Sequence, residues 1–66
     1  MRFAVEVMKE GKARVLEVEA KDSEAAHEDV SELLVNSDEV IMSIKSAKRQ
    51  VCYYDYMHGF YEYDEP

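Results

Sequence analysis

Three glutamates, Glu24, Glu28 and Glu32, recur at four-residue intervals in a segment whose apolar residues have helical spacing. Residues four apart lie on one face of an α-helix, about 6 Å from one another along the axis. This spacing is similar to the roughly 6–7 Å between successive phosphates of a nucleic-acid strand. The row can therefore bind the Arg and Lys side chains that usually hold phosphates. The alternative is a solvated helix face that is kept acidic for solubility.

The glutamate row belongs to a wider acidic block, residues 22–40, which holds seven carboxylates and no Lys or Arg. The net charge is +1 for residues 1–21, −7 for 22–40, +3 for 41–52 and −4 for 53–66, which sums to the −7 of the chain. Such a field attracts basic protein surfaces and repels nucleic acid itself. We therefore expect a basic protein partner and no direct nucleic-acid binding, with Asp38 and Glu39 as further binding residues.

Aromatic residues are concentrated at the end of the chain, where they alternate with acids. Tyrosine offers a large contact area with a polar tip and is enriched at binding hot spots. We expect a second binding patch there, although cross-strand pairing within a sheet would explain the same rings. The residues of this patch are Tyr54, Tyr56, Tyr61, Glu62 and Asp64.

Residues suited to catalysis or metal binding are few and scattered. His27 and His58 are thirty residues apart, and neither lies in a recognisable metal-ligand motif. Cys52 lies in an apolar and aromatic run, where a buried thiol is expected rather than a nucleophile. No nucleophile, base and orienting group can be assembled from these residues. The sequence therefore predicts a non-enzymatic protein without a metal or cofactor.

The first twenty residues have the pattern of a β-hairpin. Apolar and polar residues alternate from Phe3 to Met8 and again from Val15 to Ala20, on either side of a turn at Gly11. Asp22 or Ser23 then lies where a helix N-cap is expected. Apolar residues at helical spacing predict a helix through Val35 whose buried stripe is formed by Ala26, Val30, Leu33 and Leu34.

Two further strands are predicted after the helix. Val40, Met42 and Ile44 alternate with Ile41, Ser43 and Lys45 in the third strand, and residues 51–57 form the fourth. The order ββαββ gives an α+β fold, an antiparallel sheet with one helix packed on one face. We expect one domain over residues 1–66, with residues 58–66 forming either a tail or an extension of the last strand.

The size, the acidity and the segment Val18-Glu19-Ala20-Lys21-Asp22-Ser23-Glu24-Ala25-Ala26, a strand that leads into a helix start, resemble small proteins encoded by phages and mobile elements. Among these the chain is most similar in character to the anti-CRISPR inhibitors. The resemblance implies an acidic domain that binds a CRISPR effector complex and blocks its access to target DNA. The ββα opening also resembles the HicB antitoxins, but the chain lacks their Gly-rich aromatic strand pattern and their appended DNA-binding domain.

Two functions follow from these observations. The first is an inhibitor whose acidic surface occupies a basic nucleic-acid-binding groove of a partner, a CRISPR effector being the partner that the resemblance implies. The alternative is a phage accessory or adaptor module that self-associates through its aromatic strand edge. A homodimer would also form if the basic cluster of Lys45, Lys48 and Arg49 paired with the acidic helix of a second copy. The lone Cys52 and the absence of a signal peptide or an apolar run of about 20 residues predict a cytoplasmic protein that does not enter a membrane.

Overall fold

A computed structural model describes residues 1–49 and 51–61. These residues form one antiparallel five-stranded sheet, in the spatial order β2-β1-β3-β4-β5, and one helix packed against it. The α+β class and the antiparallel sheet are as predicted, and the predicted ββαββ order lacks the fifth strand. The elements are β1 (Arg2–Lys9), β2 (Lys12–Glu19), α1 (Ser23–Leu33), β3 (Val40–Ser46), β4 (Cys52–Asp55) and β5 (Gly59–Phe60).

The β1–β2 hairpin closes through a two-residue turn. Lys9 pairs with Lys12, and the intervening Glu10 and Gly11 both have positive φ angles, 51° and 80°. Two left-handed residues in succession define the turn whose twist matches that of the flanking strands. Gly11 adopts this conformation without strain, whereas Glu10 carries a Cβ that opposes it. The predicted hairpin is confirmed, but the left-handed Glu10 was not foreseen.

Helix α1 begins as predicted, because the Asp22 carboxylate accepts a hydrogen bond from the Ala25 backbone N–H at 2.8 Å. Its buried stripe differs from the prediction at one position. Ala26, Val30 and Leu34 are buried, whereas Leu33 is 71% exposed. These three buried residues are four apart and share one face, and the helix ends at Leu33 rather than Val35. The prediction that Leu33 belongs to the stripe is wrong.

Strand β3 departs from simple alternation. Glu6 pairs with Ser43 and Val7 pairs with Ile41, so that Met42 is an extra residue opposite β1. An extra residue of this kind forms a β-bulge, which changes the side on which the following side chains lie. Ile41 and Ile44 are consequently both buried. The predicted grouping of Val40, Met42 and Ile44 on one face is therefore wrong.

The predicted fourth strand is a short hairpin of two strands. β4 ends at Asp55, whose carboxylate accepts a hydrogen bond from the Met57 backbone N–H at 2.8 Å. The chain turns there, and β5 pairs back with β4, placing Phe60 opposite Tyr54. Gly59 enters β5 with a φ of 78°, which glycine adopts readily. Phe60 therefore extends the sheet as part of β5, and the prediction of a single strand through Met57 is wrong.

The core lies between the sheet and α1. Phe3, Val5 and Val7 of β1 are 1% exposed or less and face the helix residues Ala26 and Val30. The opposite face of the sheet, which no other described element covers, carries the alternate residues of β1 and β2. We call it the open face. No helix formed by residues 1–49 and 51–61 has the length and apolar character needed to cross a membrane.

Candidate partner-binding surface

The glutamate row predicted from sequence lies on α1, directed away from the sheet. Glu24, Glu28 and Glu32 are all exposed, on the side opposite the buried Ala26 and Val30. None of the three forms an ion pair with any residue in the described part of the chain. Helix α1 also has no basic residue in its last turn. The carboxylates of the row are therefore in contact with solvent and without a basic partner among the described residues.

His27 connects the glutamate row to an aromatic cluster on the sheet. Its ring lies 4.9 Å from the ring of Tyr54 and 5.5 Å from that of Phe60, both at T-shaped angles, and those two rings are 4.8 Å apart. Since His27 follows Glu24 by three residues and precedes Glu28 by one, the acids lie at the rim of this cluster. Phe60 was missed in the sequence analysis, because only the β4–β5 hairpin brings it to Tyr54.

A shallow cavity of about 250 Å3 adjoins this cluster, between the end of α1 and strands β3 and β4. Its wall includes His27, Ser31, Leu34, Val40 and Tyr56. The Ser31 hydroxyl lies 3.4 Å from His27 Nδ1. The cavity combines apolar walls with a few polar groups, which suits it to an inserted side chain of a partner.

The tyrosines of the predicted second patch have different environments. Tyr54 is half-buried in the cluster with His27, whereas Tyr56 is 55% exposed beside the cavity. Tyr61 is exposed; its backbone N–H donates a hydrogen bond to the Tyr53 carbonyl at 3.0 Å, and its hydroxyl lies 3.4 Å from His58 Nδ1. Glu62 and Asp64 lie outside the described residues. The fold thus brings Tyr54 and Tyr56 to the cavity beside α1, whereas Tyr61 contacts His58.

Asp38 and Glu39 follow the helix but have different surroundings. Asp38 is exposed, whereas the Glu39 side chain is only 13% exposed. Both Glu39 carboxylate oxygens accept hydrogen bonds from the Arg14 guanidinium at 2.7 Å, and the Ser37 hydroxyl donates another at 3.1 Å. The Arg14 hydrogen bonds hold the pKa of Glu39 below its usual value, and the same contact raises the pKa of Arg14. Glu39 therefore joins β2 to the loop before β3.

The Arg14–Glu39 pair could not be read from the sequence, because its members are 25 residues apart. The β1–β2 hairpin and the paired β3 bring them together, since Val7 has Arg14 opposite it on one side and Ile41 on the other. A carboxylate held by a bidentate guanidinium is a weaker candidate for contact with a partner than the unpaired Glu28 and Glu32.

Other chemistry is limited in the described part of the chain. Residues 1–49 and 51–61 contain no group of three or more His, Cys, Asp or Glu side chains arranged to hold a metal ion. The Cys52 thiol donates a hydrogen bond to the Tyr54 carbonyl at 3.3 Å.

No protein-family model matches the chain, and neither the curated proteins nor the solved structures yield a match. The functional argument therefore rests on the surface itself.

Proposed function

We propose that this protein is a non-enzymatic cytoplasmic inhibitor that binds a basic, nucleic-acid-binding groove of a partner protein through α1. The glutamate row contacts Arg and Lys side chains of the groove, and the cluster of His27, Tyr54 and Phe60 supplies apolar contact beside it. A CRISPR effector complex is the partner class implied by the resemblance of the chain to anti-CRISPR inhibitors.

The observation that carries this proposal is that the glutamate row is unneutralised. The described residues include eight Lys and Arg residues, yet none forms an ion pair with Glu24, Glu28 or Glu32. Like charges four residues apart on a helix are mutually unfavourable by roughly 0.2–0.5 kcal/mol per pair. The fold therefore retains a small electrostatic cost that binding to a cationic groove would remove.

The aromatic residues beside the glutamate row supply the apolar contact that charged side chains do not. Charged rims accelerate and orient encounter, whereas desolvated aromatic contacts slow dissociation. His27, Tyr54 and Phe60 lie at the side of the row, and the cavity next to them is lined by Tyr56. The two kinds of contact occur on one continuous surface, so a single groove can engage both.

The test is a competition experiment on purified CRISPR effector complexes of several types, in which fluorescence anisotropy reports binding of labelled target DNA. The wild-type protein should displace DNA from at least one complex, with an affinity that falls steeply as salt is raised. The Glu28→Lys/Glu32→Lys variant should lose this activity.

The matched control is Glu17→Lys/Glu19→Lys, in which two exposed carboxylates of the open face are reversed. Each Glu→Lys change adds two positive charges, so both variants change from −7 to about −3. The control should inhibit nearly as well as wild type. Equal losses in the two variants would show that only net charge matters and would refute a role for the row.

A second function is favoured by apolar exposure at the β4–β5 hairpin. Tyr56, Met57, Phe60 and Tyr61 are all substantially exposed there, and β5 forms an edge of the described sheet. We propose, as the alternative, an adaptor module that self-associates through this aromatic edge. In that case Tyr56→Ala with Met57→Ala should abolish assembly, measured by light scattering, while Glu28→Lys/Glu32→Lys should leave it intact. A wild-type protein that is monomeric at all concentrations would exclude the alternative.

A further inference from the structure

Strand β2 is an unusually open sheet edge for so small a domain. It extends over eight residues, Lys12–Glu19, and its only neighbour in the described sheet is β1. Its pairing with β1 is regular throughout, whereas the pairing of β1 with β3 and that of β3 with β4 each contain a register shift. Long, regular edges without proline or a bulge readily accept another strand.

The hydrogen-bond pattern identifies which backbone groups of β2 point outward. Met1 and Ala20 exchange two backbone hydrogen bonds of 2.9 Å, so they form a bonded pair. Bonded and non-bonded pairs alternate along antiparallel strands. The register therefore directs the N–H and C=O groups of alternate β2 residues away from β1, with no partner in the described part of the chain. These outward residues are Ala13, Val15, Glu17 and Glu19.

We propose that this edge binds β2 of a second copy of the chain, in antiparallel orientation about a two-fold axis at Leu16. In this register Ala13 lies opposite Glu19 of the second copy, and Val15 lies opposite Glu17 of the second copy. All four outward residues of each chain are then paired, which gives roughly eight new backbone hydrogen bonds. The two five-stranded sheets become one continuous sheet.

The side chains of β2 are compatible with pairing to a second copy. In the proposed register Lys12 and Arg14 lie opposite Ala20 and Val18 of the second copy on the helix-covered side, whereas Glu17 and Glu19 lie opposite its Val15 and Ala13 on the open face. No like charges lie directly opposite each other in the proposed register, an arrangement that would otherwise be unfavourable. The two Leu16 side chains meet at the axis on the helix-covered side.

Leu33 gives a second reason to place an apolar contact there. It lies about 240° around α1 from His27, which contacts the β4–β5 side, so it projects from the flank nearer β2. It is 71% exposed in a single copy, so contact with a partner on this flank would bury apolar surface. A second copy joined at β2 approaches this flank. The proposed contact is independent of the glutamate row and of the aromatic β5 edge.

Amide hydrogen exchange measured by NMR tests the arrangement without any mutation. In one copy, the amides of Ala13, Val15, Glu17 and Glu19 should exchange quickly, while those of the intervening residues are protected by β1. At high protein concentration all amides of β2 should become protected, and the mass measured by light scattering should double. Persistence of the alternating pattern together with a doubled mass would place the interface elsewhere and overturn the proposal, as would a constant monomer mass.

A pair of variants at one position supplies the matching control. Val15→Pro removes an outward N–H that no described residue uses, and it should raise the dimer dissociation constant about thirtyfold, because each of the two chains loses one hydrogen bond. Val15→Ala keeps the backbone donor and should change the constant far less. Equal effects of the two substitutions would refute pairing through the β2 backbone. Circular dichroism verifies that each variant is folded. If Val15→Pro does not fold, the amide-exchange pattern of the wild-type protein decides whether β2 pairs with a second copy.

Discussion

Replacing Glu32 by Lys should stabilise the folded protein even as it weakens partner binding. Glu32 lies in the last turn of α1, which contains no basic residue, and it follows Glu28 by four positions. A carboxylate is unfavourable at the negative end of the helix dipole, whereas an ammonium group is favourable there. The substitution also converts an unfavourable Glu–Glu pair into a favourable Glu–Lys pair with the better of the two orientations.

The magnitude follows from these two contributions. The change of pair is worth roughly 0.4–1 kcal/mol, twice the value of a single exposed pair. The dipole adds a few tenths of a kcal/mol or more at an exposed position in moderate salt. The sum is about 1 kcal/mol, which corresponds to an increase in Tm of about 4–8 °C for a domain of this size.

Thermal unfolding followed by circular dichroism, at about 0.05 M and about 1 M salt, measures the effect. The gain in Tm should be largest at low salt and shrink at high salt, because exposed charges are screened. Glu17→Lys on the open face is the control. Its free energy of unfolding should remain within about 0.5 kcal/mol of the wild-type value, which corresponds to a change in Tm of about 2–4 °C. A lower Tm for Glu32→Lys would refute the reasoning, because Glu32 would then have a structural role that its exposure does not show.

Three further predictions concern stability. Ile44 is completely buried at the centre of the sheet, so Ile44→Ala should cost about 2–5 kcal/mol in a chemical denaturation curve and leave little folded protein. Asp22→Ala removes the N-cap of α1 and should cost about 1 kcal/mol in the same assay, with Asp22→Asn close to wild type. The folded-state pKa of Glu39 is lowered by Arg14, so its contribution is present above the unfolded pKa of about 4.3 and is lost as the pH falls through the folded value. An acid titration of Arg14→Ala should therefore show a weaker loss of stability below that pH, and an unchanged titration curve would contradict the pairing.

Local patterns were enough to predict the hairpin and the start of the helix. Alternation in β1 and β2 is uninterrupted, so one register satisfies both strands, and Gly11 provides the turn. Asp22 was identified as a cap because its carboxylate acts on a backbone group only three residues away. Features that depend on neighbours in sequence are visible in the sequence.

The errors in β3 and after Asp55 lie where a distant part of the chain decides the local structure. The bulge at Met42 follows from fitting β3 against β1, and it places Ile44 on the same side as Ile41 instead of the same side as Val40. The short hairpin after Asp55 is formed because β4 offers an edge with which β5 can pair. Neither event has a strong local signal.

The candidate surface shows the same division between local and distant signals. The Glu24-Glu28-Glu32 row was predicted from helical spacing, and the structure leaves it exposed. The contact of His27 with Phe60 and the pairing of Glu39 with Arg14 join residues more than twenty positions apart, and no spacing rule indicates them. The glutamate row therefore follows from local helical spacing, whereas the contacts of His27 and Glu39 follow from the order of the strands in the sheet.

The most direct test of the proposed function is zero-length carbodiimide crosslinking of the protein to the complex it captures from a phage-exposed bacterial lysate. This reagent joins carboxylates only to amines in direct contact, and mass spectrometry identifies both residues. We predict crosslinks from Glu28 and Glu32 to lysines of a nucleic-acid-binding groove, lost when that groove is first filled with nucleic acid. Crosslinks confined to the open-face carboxylates Glu17 and Glu19, or formed only between copies of the chain, would contradict the account.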